Sequence, residues 1–240
     1  MKKSITYRLA MLLISLLLSG ICQALTISTK LGATIWSASS LNILGAIFQT
    51  NDLAFLNHFN GTTMLIMSCL VGLVNFKLSP EKDIGRFFRN LLFVVPFSYL
   101  IQFFVPFWQI VLPKLHAIVP NDITWIALMI ILDIVGLTGI AFAVSLYQRA
   151  NLILHPYDDL AFTLRFYYFK GNAVKAQIVS FAIPVVLTII MVLLNQGHLI
   201  SVGFGTVWAF FAQGPMTAFF DRYALPDFKH QALRRIAMHA

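Results

Sequence analysis

An all-α, polytopic bundle of transmembrane helices is the fold class that the sequence predicts, on three observations. The first is composition: of 240 residues, 59% are hydrophobic and 11% charged, with 22 Phe and a mean hydropathy of +0.81. Soluble domains carry roughly 45–50% apolar and about 25% charged residues, and a water-soluble fold of this length has nowhere to bury the excess. The second is that the apolar residues collect in long runs, and ~20 helical residues cross a hydrocarbon layer of ~30 Å. The third is that the seventeen Lys and Arg residues stand in short clusters between those runs, as they do in the cytoplasmic loops of membrane proteins. The net charge of +8 therefore reads as membrane sidedness, and nucleic acid is not expected as a partner.

Six runs are long enough to cross, at about 9–27, 62–78, 87–108, 123–146, 173–194 and 199–220. The second is the shortest and is expected to stand nearly upright. Pro96, Pro106, Pro184 and Pro215 fall inside the others, where neighbouring helices or water can satisfy the carbonyls they free. Residues 1–24 have the outline of a secretory signal, with Lys2, Lys3 and Arg8 ahead of an apolar stretch. The same pattern recurs deep in the chain near residues 133–146, so a retained first helix is the expectation. Cys22 and Cys69 lie inside apolar runs, and buried small hydrophobes are the reading for both.

Two further stretches are interrupted by polar residues: 31–50, by Ser37, Ser39, Ser40 and Asn42, and 151–169, by His155, Pro156, Asp158, Asp159 and Arg165. Charge decides whether they cross. Eight crossings would place Lys30, Lys77, Lys82, Arg86, Arg89 and Arg149 on the outer side. With six, only Lys30 and Lys114 of the seventeen basic residues lie there, and the basic bias of cytoplasmic loops favours six. Both stretches then re-enter, or lie in the interface. The aromatic run Phe166-Tyr167-Tyr168-Phe169 beside Lys170 suits the headgroup level.

The halves repeat. Residues 20–30 lie over residues 139–149, with Gly20 on Gly139, Thr26 on Ser145 and Lys30 on Arg149; Trp36 then meets Tyr157, and Gly61 and Gly85 meet Gly171 and Gly205. Three crossings in each half make the second half upside down relative to the first, a known plan for transporters. The expected division is 1–120 and 121–225 as the two inverted three-helix repeats, then a basic cytoplasmic tail at 226–240 in which a surface helix is expected.

The run Gly20-Ile-Cys-Gln-Ala-Leu-Thr-Ile-Ser-Thr-Lys-Leu-Gly32 with Trp36, and Asn60-Gly61-Thr62, resemble the first-half signature of the YitT/YczE-type bacterial integral membrane proteins. Pro156-Tyr157-Asp158 is similar to that family's Pro-x-Asp element, and Gly203-Phe-Gly-Thr-Val-Trp-Ala-Phe-Phe-Ala-Gln-Gly-Pro215 to its final helix. Ile35 and Ser37 stand where the first half of the family shows Pro and Asp, and Asn151 at a usual Gly. The resemblance implies a multi-pass protein of the bacterial inner membrane without an agreed chemistry.

Candidate functional residues follow from the cost of polarity in lipid. Asp133 falls near mid-depth of the fourth run, where an Asp costs ~2.5–3.5 kcal/mol on insertion scales. Proton coupling or cation binding is one reading, and a hydrogen-bonded acid holding a neighbouring helix is the other. Gln102 and Gln213 lie in the third and sixth runs, and packing between helices is favoured for them over solute contact. Trp36, Ser37, Asn42, Pro156, Tyr157 and Asp158 occupy the interrupted stretches and would line a cavity if those stretches re-enter; belt residues of an interfacial helix are the alternative.

No His-Glu-x-x-His, phosphate-binding glycine loop or Gly-x-Ser-x-Gly occurs, so no enzyme, cofactor or metal site is expected. The leading expectation is a plasma-membrane transporter or permease for a small solute or ion, with both termini cytoplasmic. A substrate-binding membrane subunit with a partner ATPase, and a membrane scaffold or assembly factor, are the alternatives. Beyond the lipid bilayer, the solute's identity and any homo-oligomer stay open.

Overall fold

The computed structural model describes residues 4–230, which form eight α-helices and no strand. They are α1 (Ile5–Thr29), α2 (Ile35–Phe48), α3 (Leu53–Leu78), α4 (Ile84–Ile118), α5 (Asp122–Ala150), α6 (Pro156–Thr163), α7 (Ala173–Leu194) and α8 (Phe204–Tyr223); a π-helical turn, Leu164–Tyr168, continues α6. The boundaries have local causes. Side-chain oxygens of Ser4, Asp52, Asp83, Asn121 and Asn172 accept first-turn amides at the starts of α1, α3, α4, α5 and α7. At Asp83, in a connection between spans, the Arg86 amide holds the carboxylate below its usual range. Lys30, Gln49 and Asn151 end α1, α2 and α5 in the left-handed conformation.

Polarity is distributed inside out. Leu13, Leu17, Ile66, Leu70, Leu92, Phe103, Val186 and Leu193 point outward, whereas Ser15, Gln23, Ser37, Asn42, Asn60 and Ser180 are buried. Five helices, α1, α3, α4, α5 and α7, are long and apolar enough to cross a membrane, one fewer than the six expected: the run at 199–220 forms α8, which starts only at Phe204 and is not among them. Such an apolar outer surface in water would be a very large patch, so the protein is a multi-pass membrane protein. At ~1.5 Å per residue, α2 and α6 reach only about 21 and 12 Å, too short to cross.

The spans differ in places from the sequence expectation. The second is not the shortest: α3 begins at Leu53 and runs 26 residues, because Asn57, His58 and Asn60 stay helical. The third continues through Pro106 and Pro113 to Ile118. Gly61 therefore lies inside α3 while Gly171 precedes α7, so this pair does not occupy matching places; Gly85 and Gly205 do, as second residues of α4 and α8.

Helix α1 lies antiparallel along α5. The Arg8 guanidinium donates to the carbonyls of Ala150 and Asn151 at 2.8 and 3.0 Å, and Thr29 meets Asp133 nearer the other end. Small residues permit the close approach: a Cβ on Gly136 would stand 2.7 Å from Thr26 Cγ2, and one on Gly20 2.8 Å from Leu100 Cβ of α4. The pairings α1·α4, α3·α4 and α2·α3 of the first four helices recur as α5·α8, α7·α8 and α6·α7 in the last four. Each short helix also packs on the other half, α2 on α7 and α6 on α3. Of the tail at 226–240, in which a surface helix is expected, residues 226–230 form turn and coil and residues 231–240 lie outside the described residues. Ahead of them Phe228 is buried against Tyr7, at 5.3 Å between ring centroids.

Candidate functional site: two half-helix starts around a buried cavity

Neither short helix begins at a surface. The connection into α2 is held by the start of α8: the Ala33 amide donates to Ser201 O at 2.9 Å, Gly205 N–H to Leu31 O at 3.1 Å, and the Thr206 hydroxyl to Ala33 O at 2.7 Å. The connection into α6 is held by the start of α4, where Asn90 accepts the Leu154 amide at 3.0 Å and donates to Asp159 at 2.8 Å, and Arg86 pairs with Asp159. From these starts the helices diverge. The α2 end reaches Leu194 through Gln49, and the π-turn after α6 reaches Leu78 through the Tyr168 hydroxyl.

Where the two starts meet, Trp36 lies flat on Tyr157, with centroids 3.9 Å apart and planes within 5°. The Tyr157 hydroxyl donates to Met64 O at 3.2 Å, and Asn75 Nδ2 donates to Pro156 O at 2.7 Å, so α3 fixes the start of α6. Beside the stack is a cavity of about 50 Å³, lined by Gln23, Thr34, Ser37, Tyr147, His155 and Gln213 among others, room for a few waters. Gln23 Nε2 from α1 donates to Thr34 Oγ1 and Ser37 Oγ at 2.7 and 2.6 Å. Across the cavity Asp158 accepts from the Tyr147 hydroxyl. The His155 Nδ1 caps α6 by accepting the Tyr157 amide at 3.3 Å. Two buried polar atoms here have no partner, Trp36 Nε1 and His155 Nε2.

A second, larger recess of about 260 Å³ opens between α3 and α4, where Asn57, His58 and Asn60 face Gln102 and Gln109. It adjoins a space of about 310 Å³ that shares His58, Ser98 and Gln102. Met64 lines both the recess and the central cavity.

A family model described as a family of unknown function (DUF6198) matches residues 6–222. The chain belongs to that family. No curated protein and no solved structure matches it.

In this DUF6198 protein the predicted site residues separate into groups. Trp36, Ser37, Tyr157, Asp158 and Gln213 line the central cavity; Pro156 does not, and its carbonyl is taken by Asn75 Nδ2. Gln102 lines the α3–α4 recess. Asn42 is occupied structurally, donating to Ile200 O at 2.7 Å and accepting Ile200 N–H at 3.0 Å. Asp133 lies away from both spaces: it is fully buried, its Oδ1 bonds the Thr29 hydroxyl at 3.0 Å, and its Oδ2 presses on Gly205 at the start of α8 without a partner. Among the described residues no His, Cys, Asp and Glu cluster could hold a metal.

The sequence reading missed the seal at the end that carries Arg8 and Arg149. Asp221 accepts from Ser145, Arg165 and His230 at 2.8, 2.7 and 3.1 Å, with Arg149 at 3.8 Å. Arg149, fully buried, also donates to the carbonyls of Ala224 and Phe228 at 2.6 and 3.1 Å. In the sequence it stands out as a marker of sidedness and as the repeat counterpart of Lys30, not as part of a seal. Of the recess residues the sequence analysis names Gln102 alone as a site residue; 54, 57, 58 and 61 on α3 and 102, 105, 106 and 109 on α4 each trace one helical face, a signal that needs α3 extended back to Leu53.

Proposed function

We propose that this protein passes a small solute or ion across the bacterial plasma membrane between two inverted halves, using the cavity at the Trp36–Tyr157 stack as its mid-membrane station. The observation that carries the reading is the meeting of two half-helix starts, one from each half, over buried polar groups. Broken helices of this kind form the central sites of inverted-repeat transporters, where irregular backbone is tolerated because it lines a cavity. The recurrent pairings of the two halves and the exchange of α2 and α6 between them support it.

On this reading the α3–α4 recess is the outer vestibule, Met64 separates it from the station, and the contacts of Asp221, Arg149 and Asp159 close the cytoplasmic end. Coupling is assigned to the cavity rather than to Asp133. The chain reconstituted in liposomes should admit small solutes, measured by stopped-flow light scattering. Filling the cavity with Ser37→Leu should cut entry about tenfold or more while melting stays near wild type. Entry indistinguishable from empty liposomes across neutral, anionic and cationic solutes would remove the proposal.

A further inference from the structure

A single formal charge faces the central cavity, and it is negative. Of the described residues that line the space, only Asp158 carries one, and no Lys or Arg stands among them. His155 lines it too, but its Nδ1 accepts the Tyr157 amide, so the ring is neutral. Asp158 Oδ2 accepts from the Tyr147 hydroxyl, while Oδ1 has no donor among the described residues and keeps open surface. The residue is only half-buried at the centre of the fold, so the surface it keeps belongs to the cavity. The nearest basic partner is taken, because Arg86 pairs with Asp159. The two helix starts beside the carboxylate offset only a fraction of what an unpaired buried ion costs. A proton or a cation is needed to balance it.

A proton satisfies Asp158 alone, and it is not the only acceptor here. Gln23 gives its Nε2 hydrogens to Thr34 and Ser37, which leaves Oε1 without a donor. Gln213 lines the same space and bonds no described side chain or backbone group through its amide. Both residues are more than nine-tenths buried, at 4% and 8% exposure, and unmet buried amides ask for an occupant. Phe93, Phe97, Phe181 and the Trp36–Tyr157 pair make much of the remaining wall, and aromatic rings attract cations without adding charge of their own. One carboxylate is too few for a divalent metal, which takes about six oxygens. A space of about 50 Å³ limits the occupant to a few heavy atoms.

We propose that the central cavity binds a small monovalent cation that donates N–H hydrogen bonds, of methylammonium or guanidinium size, with Asp158 as its counter-charge and the Gln23 and Gln213 amides as its acceptors. This rests on the reading of the cavity as a solute station and names the class of solute. The planar N–H groups of guanidinium suit a carboxylate oxygen and amide oxygens together. Anions are opposed by the Asp158 charge, and the aromatic share of the wall favours an ammonium-type cation over a bare metal ion.

The test uses the full chain in liposomes that hold an inside-negative potassium diffusion potential set by valinomycin, and follows radiolabelled guanidinium at low millimolar concentration. Urea, which has nearly the same shape and no charge, is run beside it, with sodium and formate as the other arms. The expected result is guanidinium entry in wild type ahead of all three, lowered about tenfold or more by Asp158→Asn, which keeps an acceptor for Tyr147 and removes the charge. Gln213→Leu, which removes one acceptor, should lower it as well. Urea or formate entry without guanidinium entry overturns the cation assignment and leaves the conduit standing. Sodium entry as fast as guanidinium entry overturns the requirement for N–H donors. No entry of any solute overturns both the cation and the conduit. Guanidinium entry unchanged in Asp158→Asn overturns the residue named. If the variants fail to fold, the wild-type preference for guanidinium over urea and sodium decides the class.

Discussion

Replacing Asp133 with Asn and with Leu separates two roles for a carboxyl buried between α1, α5 and α8. Its Oδ1 lies 3.0 Å from the Thr29 hydroxyl, which also lies 2.8 Å from Thr26 O. A hydroxyl has one hydrogen to donate, so Thr29 serves both contacts fully when the side chain at 133 can donate to it. Asn supplies such a donor and keeps an oxygen, in nearly the same shape. Asp133→Asn should therefore change stability by less than about 1 kcal/mol. Leu removes a buried hydrogen bond, ~0.5–1.5 kcal/mol, and the partner of the α8 start, ~0.3–1 kcal/mol. It also presses a branched methyl group on Gly205, where even a Cβ would collide with the present carboxylate, at about 1–3 kcal/mol. The total is about 2–5 kcal/mol, or on the order of 5–15 °C in melting temperature for a chain of this length. Intrinsic-fluorescence melting of the purified chain, with solute flux on the same samples, reads both roles. Asp133→Asn that melts like wild type yet carries no flux would show that the charge at 133 drives transport, and the cavity-centred account would be wrong.

Three other perturbations probe the framework. Asp221→Ala leaves Arg149 and Arg165 facing a buried void and should cost about 3–5 kcal/mol, whereas Arg89→Ala, which breaks the exposed pair with Asp83, should cost under about 1 kcal/mol; equal melting of the two variants would contradict the burial argument. Asn42→Leu strands both backbone groups of Ile200 and should cost about 2–5 kcal/mol, since each unmet buried group costs ~1–3 kcal/mol; retained melting would mean that water replaces the amide. A single cysteine at position 64, in a chain whose Cys22 and Cys69 are replaced by Ala, should react with a small membrane-impermeant thiol reagent from the outer side and slow solute entry. Reaction from the cytoplasmic side alone would place the vestibule at the wrong end.

How much of this was legible in sequence depended on the range of the physics involved. Crossing helices declare themselves locally, since ~20 apolar residues have no other solvent than lipid, and α7 was placed to the residue, 173–194. Helix ends were less visible where the polar residues belong to the helix: Asn57, His58 and Asn60 read as loop, yet they continue α3 because their side chains face the recess shared with Gln102 and Gln109. The cavity was half legible. Proline at the first position of α6 and the polar interruptions in 31–50 mark broken helices, and the alignment of Trp36 with Tyr157 anticipated the residues that stack. What no local rule supplies is that His155 turns Nδ1 onto its own helix and so frees Nε2, or that Arg149 is buried by carbonyls of Ala224 and Phe228. Those facts depend on partners brought together by the fold. The same limit explains Asp133: its price in lipid is readable from one residue, but whether that price serves chemistry or anchors α8 is set by Gly205 and Thr29, and they place it outside the cavity.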